Sequence, residues 1–208
     1  MSAKFLLVMP NFGQGRVYSF PLGIAYISGA LKAAGYEVRV INLNTSEEED
    51  KTVIAREIRD FDPDVCATGT LSPYFKSVKH IVSVARETKP NIITVVGGGI
   101  LTATPEKALL GLEADIGVIG EGEETIVQLA EAITDGNDWD SVDDIIYRTD
   151  KGTKRTPPRS TEKDLGKLAW PDLEGFDVAK ALDQQITSDN LFIHSIDYPR
   201  SIPMSTSR

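Results

Sequence analysis

The chain has 208 residues, of which 41% are hydrophobic and 25% are charged, as in an ordinary globular protein. This length is typical of one domain of about 130–150 residues with its own hydrophobic core, together with a smaller additional segment. The formal net charge of −9 argues against a nucleic-acid backbone as a partner. The first apolar run ends at Pro10, and no other run approaches the length of a bilayer span. The sequence therefore predicts a cytoplasmic protein without a membrane span.

Strands and helices alternate along the first 137 residues. Apolar runs and helical periodicity predict strands over 5–9, 37–43, 65–69, 91–96 and 115–119, and helices over 21–34, 51–61, 76–87, 106–112 and 123–133. Five βα units with short connections predict an α/β fold with helices on both faces of a parallel sheet. We expect a flavodoxin-like (Rossmann-like), doubly wound, five-stranded sheet with strand order 2-1-3-4-5.

The C-terminal part of the chain has a different character. A small hairpin is predicted from strands over 145–149 and 154–159. Beyond it, repeated prolines interrupt any sustained period, so we expect an irregular connector without a core of its own. The predicted division is an α/β domain over 1–137, followed by a hairpin and connector over 138–208.

Cysteine and histidine are too scarce to form a metal or nucleophile motif. Cys66 is the one cysteine and lies in a predicted strand, so we expect a buried structural thiol. The two histidines, His80 and His194, lie far apart in the chain, and neither has a spacing typical of metal ligands. We therefore predict no metal ligand and no catalytic residue in this chain.

A ligand site is expected where the predicted strands end. In doubly wound sheets, ligands bind beyond the carboxyl ends of the strands, at the point where the strand order reverses. The glycine-rich or polar turns over 10–21, 68–74, 97–105 and 120–124 fall at those ends. None of them has the spacing of a P-loop or of a dinucleotide fingerprint. The turns would best suit a broad, flat and largely apolar ligand with polar edges.

Three groups of atoms in these turns could contact such a ligand. The glycines at 97–99 would let a ring system approach the backbone, and Thr68, Thr70 and Ser72 would offer hydroxyl groups. The turn at 120–123 would offer free N–H groups at a helix start. The alternative is that both glycine turns serve only tight strand–helix packing, and that their glutamates complement the helix dipole. The residues by themselves leave both interpretations open.

Three motifs carry a resemblance to a known family. They are Pro21-Leu22-Gly23, then Val96-Gly97-Gly98-Gly99 followed by Thr102 and Pro105-Glu106, and finally Gly120-Glu121-Gly122-Glu123. Together, over roughly residues 4–135, they resemble the cobalamin-binding domain of B12-dependent radical SAM enzymes. The resemblance implies that cobalamin lies across the strand ends, with its nucleotide tail buried beside strands three and four. The implied cofactor-binding residues are Pro10, Asn11, Phe12, Pro21, Leu22, Gly23, Thr68, Thr70, Leu71, Ser72, Tyr74, Gly97, Gly98, Gly99, Thr102, Gly120, Glu121, Gly122 and Glu123.

One departure from other cobalamin proteins concerns the lower ligand of the cobalt. The cobalamin domain of methionine synthase has an Asp-x-His-x-x-Gly motif after strand one, and its histidine binds cobalt. Here the corresponding loop ends in Pro21-Leu22-Gly23, which keeps the glycine without the histidine. Radical SAM members usually lack that histidine too. The resemblance therefore implies base-off cobalamin with no protein histidine ligand, and we expect His80 and His194 to be structural.

A second departure concerns the other half of the family. Its radical SAM domain begins with a Cys-x-x-x-Cys-x-x-Cys motif, which binds a [4Fe–4S] cluster through thiolates. Residues 202–208 resemble the run-up to that motif, and Cys66 alone cannot ligate a cluster. We expect a fragment truncated before its partner, a radical SAM domain that would bind the cluster and S-adenosylmethionine.

Two hypotheses for the function follow. In the first, the chain is the cobalamin-binding module of a radical SAM enzyme, either a methyltransferase or a cyclase acting on a tetrapyrrole ester. In the second, it is a flavodoxin-like regulatory or interaction domain without a corrin cofactor, whose glycine turns are only structural. Under either hypothesis, we do not expect the chain alone to be catalytic.

Overall fold

A computed structural model describes residues 2–12, 20–160 and 164–183. The strands are β1 (Lys4–Met9), β2 (Glu37–Asn42), β3 (Val65–Gly69), β4 (Ile93–Gly97), β5 (Ile116–Val118), β6 (Ile145–Thr149) and β7 (Gly152–Arg155). The helices are α1 (Leu22–Ala33), α2 (Asp50–Phe61), α3 (Phe75–Thr88), α4 (Gly99–Thr102), α5 (Pro105–Leu112), α6 (Glu123–Asp135) and α7 (Val178–Asp183). The first five strands and the five predicted helices are confirmed, with ends that shift by about one or two residues. The short helices α4 and α7 were not predicted.

The strands form one sheet in the order β2-β1-β3-β4-β5-β6-β7. The first five are parallel and in the predicted order, which confirms the flavodoxin-like fold. The first strand of the predicted hairpin is confirmed as β6, whereas the second, predicted over 154–159, lies at Gly152–Arg155. The hairpin was not predicted as part of the sheet, and it extends the sheet because β6 pairs antiparallel with β5. Ile145, Ile146 and Tyr147 are all buried, since packed layers cover both faces of β6. The strand β7 ends before Pro157 and Pro158, which have no N–H to donate to a ladder.

Two layers of helices cover the sheet. Helices α1 and α6 lie on the face that buries Leu7, Ala67 and Val95. Helices α2 and α3 lie on the other face, which buries Leu6 and Cys66. Consecutive residues of one strand therefore point into different layers. The predicted buried thiol is confirmed, and burial raises the pKa of Cys66 to about 12.

The connector returns across the outer face of α1. A side chain at Gly29 would collide with the backbone of Trp170, whose carbonyl oxygen lies 2.1 Å from the ideal Cβ position. Two residues later, the Asp172 carboxylate accepts a hydrogen bond from Ser28 and forms an ion pair with Lys32, both at 2.6 Å. The segment that follows the hairpin is therefore attached to the helix that borders the carboxyl ends of the strands.

Some predictions concern the two histidines and the C-terminal segment. His80 lies in the middle of α3 and is exposed, whereas His194 and the segment 202–208 lie outside the described residues. Within the part of the chain that the structure describes, no helix has both the length and the apolar character needed to cross a membrane.

Candidate functional site at the carboxyl ends of the strands

A cleft of about 560 Å³ opens between the sheet and helices α1 and α6, where the parallel strands end. It results from a decrease in side-chain size along the strands. On this face, Phe5 and Val65 lie side by side near the amino-terminal ends of β1 and β3. Ala67 follows on β3, and Gly69 pairs with Gly97 at the carboxyl ends of β3 and β4. The first turns of α1 and α6 lie over these small residues, so a space remains between the helices and the sheet. Its volume lies in the range of about 300–1,000 Å³ that is usual for ligand pockets.

Most of the predicted binding residues line this cleft. They are Pro21, Leu22, Gly23, Thr68, Thr70, Leu71, Gly97, Gly98, Gly99, Gly120, Glu121, Gly122 and Glu123. The remaining predicted residues do not line it: Pro10, Asn11, Phe12, Ser72, Tyr74 and Thr102.

The lining also contains residues that sequence reasoning missed. They are Leu7, Met9, Ile24, Ile27, Ala67, Gly69, Val95, Val118 and Ile126. Because side chains alternate along a strand, the sequence indicates that every second strand residue faces the same side of the sheet. The sequence could not show that this layer is open at one end.

Several glycines of the cleft are constrained by the protein itself, among them Gly69, where a Cβ would lie 2.3 Å from the carbonyl oxygen of Gly97. Gly98 has φ +84° and ψ −173°, a region that is almost restricted to glycine, and a Cβ there would lie 3.0 Å from the carbonyl oxygen of Thr70. Gly120 has φ +73°, and a Cβ on Gly122 would lie 2.8 Å from Cδ1 of Ile27. The backbone conformation is therefore a reason for glycine at positions 98 and 120, whatever the cleft binds.

Gly97 and Gly23 have no comparable explanation within the protein. A Cβ on Gly97 would meet nothing closer than the Val118 Cβ at 3.8 Å, and one on Gly23 would meet nothing within 4 Å. Both have an ordinary φ, and Gly23 is the second residue of α1, where alanine would also fit the helical backbone. The protein has room for a side chain at both positions, and glycine keeps that room empty beside the cleft.

The two threonines of the cleft have different roles. The hydroxyl of Thr68 is buried and donates a hydrogen bond to the carbonyl oxygen of Val8 at 2.8 Å. The hydroxyl hydrogen of Thr68 therefore joins β3 to β1, so that Thr68 can offer a ligand only the lone pairs of its oxygen. The Thr70 hydroxyl is half-buried and has no hydrogen-bond partner among the residues that the structure describes. Thr70 is thus the better candidate for a polar contact with a ligand.

Thr102 connects the two glycine turns instead of lining the cleft. Its hydroxyl donates to the carbonyl oxygen of Gly98 at 3.3 Å and accepts from the N–H of Gly120 at 3.4 Å. The short helix α4 carries this side chain, so it could not be placed before α4 was known. Thr102 therefore supports the shape of the rim without facing the ligand space.

The predicted residues after β1 lie to one side of the cleft. The rings of Phe12 and Tyr74 pack together with centroids 4.3 Å apart. The N–H of Phe12 donates to Oδ1 of Asn44, and the side-chain amide of Asn11 donates to Asp50. These contacts hold the start of the loop against the residues that follow β2.

The charged groups of the lining are carboxylates. Glu121 and Glu123 line the cleft, and no lysine, arginine or histidine among the described residues does so. Helix α6 begins at Glu123, and its N-cap Gly122 has no side chain to occupy the free N–H groups. Carboxylates at this end of a helix are stabilised by the helix dipole. The cleft therefore has an apolar interior and a rim of N–H, hydroxyl and carboxylate groups.

These features define a class of protein: a doubly wound α/β domain that takes a ligand at its topological switch point. The model of the B12 binding domain family matches residues 15–130, so the chain belongs to this family. The match includes the motifs at 21–23, 96–99 and 120–123, and nothing in the comparisons favours a domain without a corrin cofactor.

Related proteins are longer than this chain. An uncharacterized methyltransferase of Pyrococcus horikoshii is 28% identical over 186 residues, which are 86% of this chain and 40% of that protein. The anaerobic magnesium-protoporphyrin IX monomethyl ester cyclase of Rubrivivax gelatinosus is 28% identical over 184 residues, or 82% of this chain and 33% of that enzyme. The radical S-adenosylmethionine methyltransferase TsrM from Kitasatospora setae, solved with cobalamin and a [4Fe–4S] cluster, superposes with a TM-score of 0.70. It is 25% identical, and the match covers 82% of this chain and 31% of TsrM.

Proposed function

We propose that this chain binds cobalamin in the cleft and serves as the cofactor module of a larger radical SAM enzyme. The observation that carries the proposal is the space kept open by Gly97 and Gly23 beside an apolar cleft of about 560 Å³. Membership of the B12 binding domain family supports the choice of ligand.

The residues present fit a cobalamin. Gly97 and Gly23 leave room for ligand atoms close to the backbone, and the apolar interior suits the aromatic base of the nucleotide tail. The Thr70 hydroxyl would bind a polar atom of the ligand, and the exposed side chain of Leu71 would cover part of it. When bound, cobalamin supplies a cobalt centre that can carry a methyl group.

The proposed form of the cofactor is base-off, without an imidazole in place of the base. The loop from Pro10 to Gly23 contains no histidine, and His80 lies on α3, which covers the opposite face of the sheet from the cleft. Electron paramagnetic resonance of the Co(II) form tests this proposal. Nitrogen superhyperfine splitting that disappears in His80→Ala or His194→Ala would contradict it.

The parent enzyme is proposed to be a methyltransferase or a tetrapyrrole-ester cyclase. Both kinds occur among the related proteins, and TsrM combines cobalamin with a [4Fe–4S] cluster. Because Cys66 is the one cysteine here, the cluster and S-adenosylmethionine would be bound by a separate radical SAM domain, which is the proposed partner.

Thermal denaturation with hydroxocobalamin tests the binding. At a hundred times its dissociation constant, a ligand adds about 2.7 kcal/mol to the free energy of unfolding, which corresponds to about 5–10 °C in Tm for a domain of this size. NAD, FMN and ATP should give no shift. A shift with FMN alone, and none with hydroxocobalamin, would show that the cleft takes a flavin.

A further inference from the structure

The floor of the cleft consists of aliphatic side chains. Leu7, Ala67 and Val95 lie side by side in register on β1, β3 and β4. Val118 and Ile126 close the floor from β5 and α6. All five are buried, with between 0% and 6% of their surface exposed, although they border open space.

This floor offers no hydrogen-bonding group to a ligand. Its backbone N–H and C=O groups belong to the parallel ladder, since β3 pairs with β1 on one side and with β4 on the other. Three threonines adjoin floor residues in the chain. The Thr68 hydroxyl donates to Val8 and the Thr94 hydroxyl donates to Asp115, while Thr125 precedes Ile126 but, like Thr94, does not line the cleft. The other polar lining residues, Thr70, Glu121 and Glu123, come after the strands end.

We propose that the floor selects the lower base of the corrinoid and favours dimethylbenzimidazole, which has fewer polar groups, over a purine, such as adenine. This inference rests on the proposed function, because it assumes that the nucleotide tail occupies the cleft. The ring nitrogens and amino group of adenine are hydrogen-bonded to water in solution. On the aliphatic floor they would lose that water and find no partner, which is unfavourable.

The expected ratio of the two dissociation constants can be taken from aliphatic pockets in other proteins. An aliphatic pocket distinguishes ligands that differ by one polar group by about tenfold to a hundredfold. We therefore expect an adenine-containing cobamide to bind about tenfold to a hundredfold more weakly than cobalamin. Cobinamide, which lacks the nucleotide tail, should bind more weakly than cobalamin as well, since it leaves the floor empty.

The test is a titration of the full 208-residue chain with hydroxocobalamin, its adenine-containing analogue and cobinamide, followed by visible absorption and by the change in Tm. Equal dissociation constants for the two cobamides, or tighter binding of the adenine form, would overturn the inference and leave the proposed function intact. Failure of all three corrinoids to bind would instead overturn the proposed function, and this inference with it.

Two variants on β4 test whether the floor causes the preference for cobalamin over the adenine-containing cobamide. Val95→Thr places a hydroxyl in the cleft at almost unchanged volume, and should reduce the preference for cobalamin severalfold. Val96→Thr is the matched control, because Val96 is equally buried but belongs to the layer on the opposite face. It should leave the ratio of the two dissociation constants unchanged. If Val95→Thr does not fold, Val118→Thr provides the same hydroxyl from β5, and an unchanged ratio in a folded floor variant contradicts the inference.

Discussion

The two faces of the sheet differ in how completely they are filled. Towards α2 and α3, Leu6, Val8 and Cys66 meet large side chains such as Ile54 and Ile81, and this layer is closed. Towards α1 and α6, the same strands present residues that shrink to glycine at their carboxyl ends, and a cleft remains. One set of strands therefore contributes to a closed core on one face and borders an open cleft on the other.

The neighbouring residues Gly97 and Gly98 also differ, because only one of them has a backbone conformation that requires glycine. Gly98 is demanded by its backbone angles and by the nearby carbonyl of Thr70, so it would be needed without any ligand. Gly97 has an ordinary backbone conformation and room for a Cβ, so that nothing within the protein requires glycine there. Substitutions can separate the two roles, because one should alter binding and the other should alter stability.

The largest effect is expected from Gly97→Val. A Cβ at this position fits beside Val118, and we expect the valine methyl groups to fill the top of the cleft, so the affinity for hydroxocobalamin should fall by at least about a hundredfold, or about 2.7 kcal/mol. The unliganded protein should keep its circular dichroism spectrum and its Tm. Titration followed by visible absorption measures the affinity, and unchanged affinity in a folded variant would contradict the proposed site.

Next in size is the contrast between Cys66→Leu and Ala67→Leu. Cys66 lies in the closed layer, so a larger side chain should lower the free energy of unfolding by up to about 3 kcal/mol. Ala67 borders the cleft, so leucine there should change the stability of the unliganded protein by less than about 1 kcal/mol. Urea denaturation of both variants measures the difference, and equal losses would show that the cleft face is not open in solution.

A somewhat smaller effect is expected from Gly98→Ala. The strained backbone at φ +84° should lower the free energy of unfolding by about 2 kcal/mol in the absence of ligand. Gly97→Ala is the matched control, and its effect should stay within about 0.5 kcal/mol. Chemical denaturation without cobalamin compares them, and the prediction fails if the order of the two variants is reversed.

The smallest effect concerns the connector that holds α1 from outside. Burial raises the pKa of Asp172, but hydrogen bonds from Lys32, Ser28 and the N–H of Gly175 outweigh it, so the pKa is lowered overall. A lowered folded-state pKa stabilises the protein above the pKa of the unfolded chain, and this contribution is lost as the pH falls through the folded value. Asp172→Asn should therefore cost about 1 kcal/mol at neutral pH.

The pH profile of stability tests this assignment. The difference between the original protein and Asp172→Asn should shrink as the pH falls below about 4, where the unfolded carboxyl becomes protonated. Asp135→Asn, at an exposed position at the end of α6, is the control for the removal of a carboxylate away from the connector. A difference that stays constant down to the acid range would mean that the carboxylate charge is not what holds the connector.

Much of the fold could be predicted from local patterns. Runs such as 65–69 and 91–96 reveal buried strands through their composition, and glycines and prolines mark the turns between elements. The attachment of the hairpin to β5 could not be predicted, because alternation does not say which strand will be the neighbour. The lining of the cleft was predicted in its turns but not in its floor, since Leu7, Ala67 and Val95 look like any other core residues.

The sequence alone determined the order of the elements, the turns at the strand ends and the absence of a histidine in the loop after β1, because each depends on residues that are adjacent in the chain. The tertiary structure decided which glycines leave space, which hydroxyl is already occupied and how the connector holds α1. Thr68 bonds to Val8 across 60 positions, and Ser28 bonds to Asp172 across 144. Contacts between such distant residues depend on the complete packing of the chain, so no local pattern encodes them.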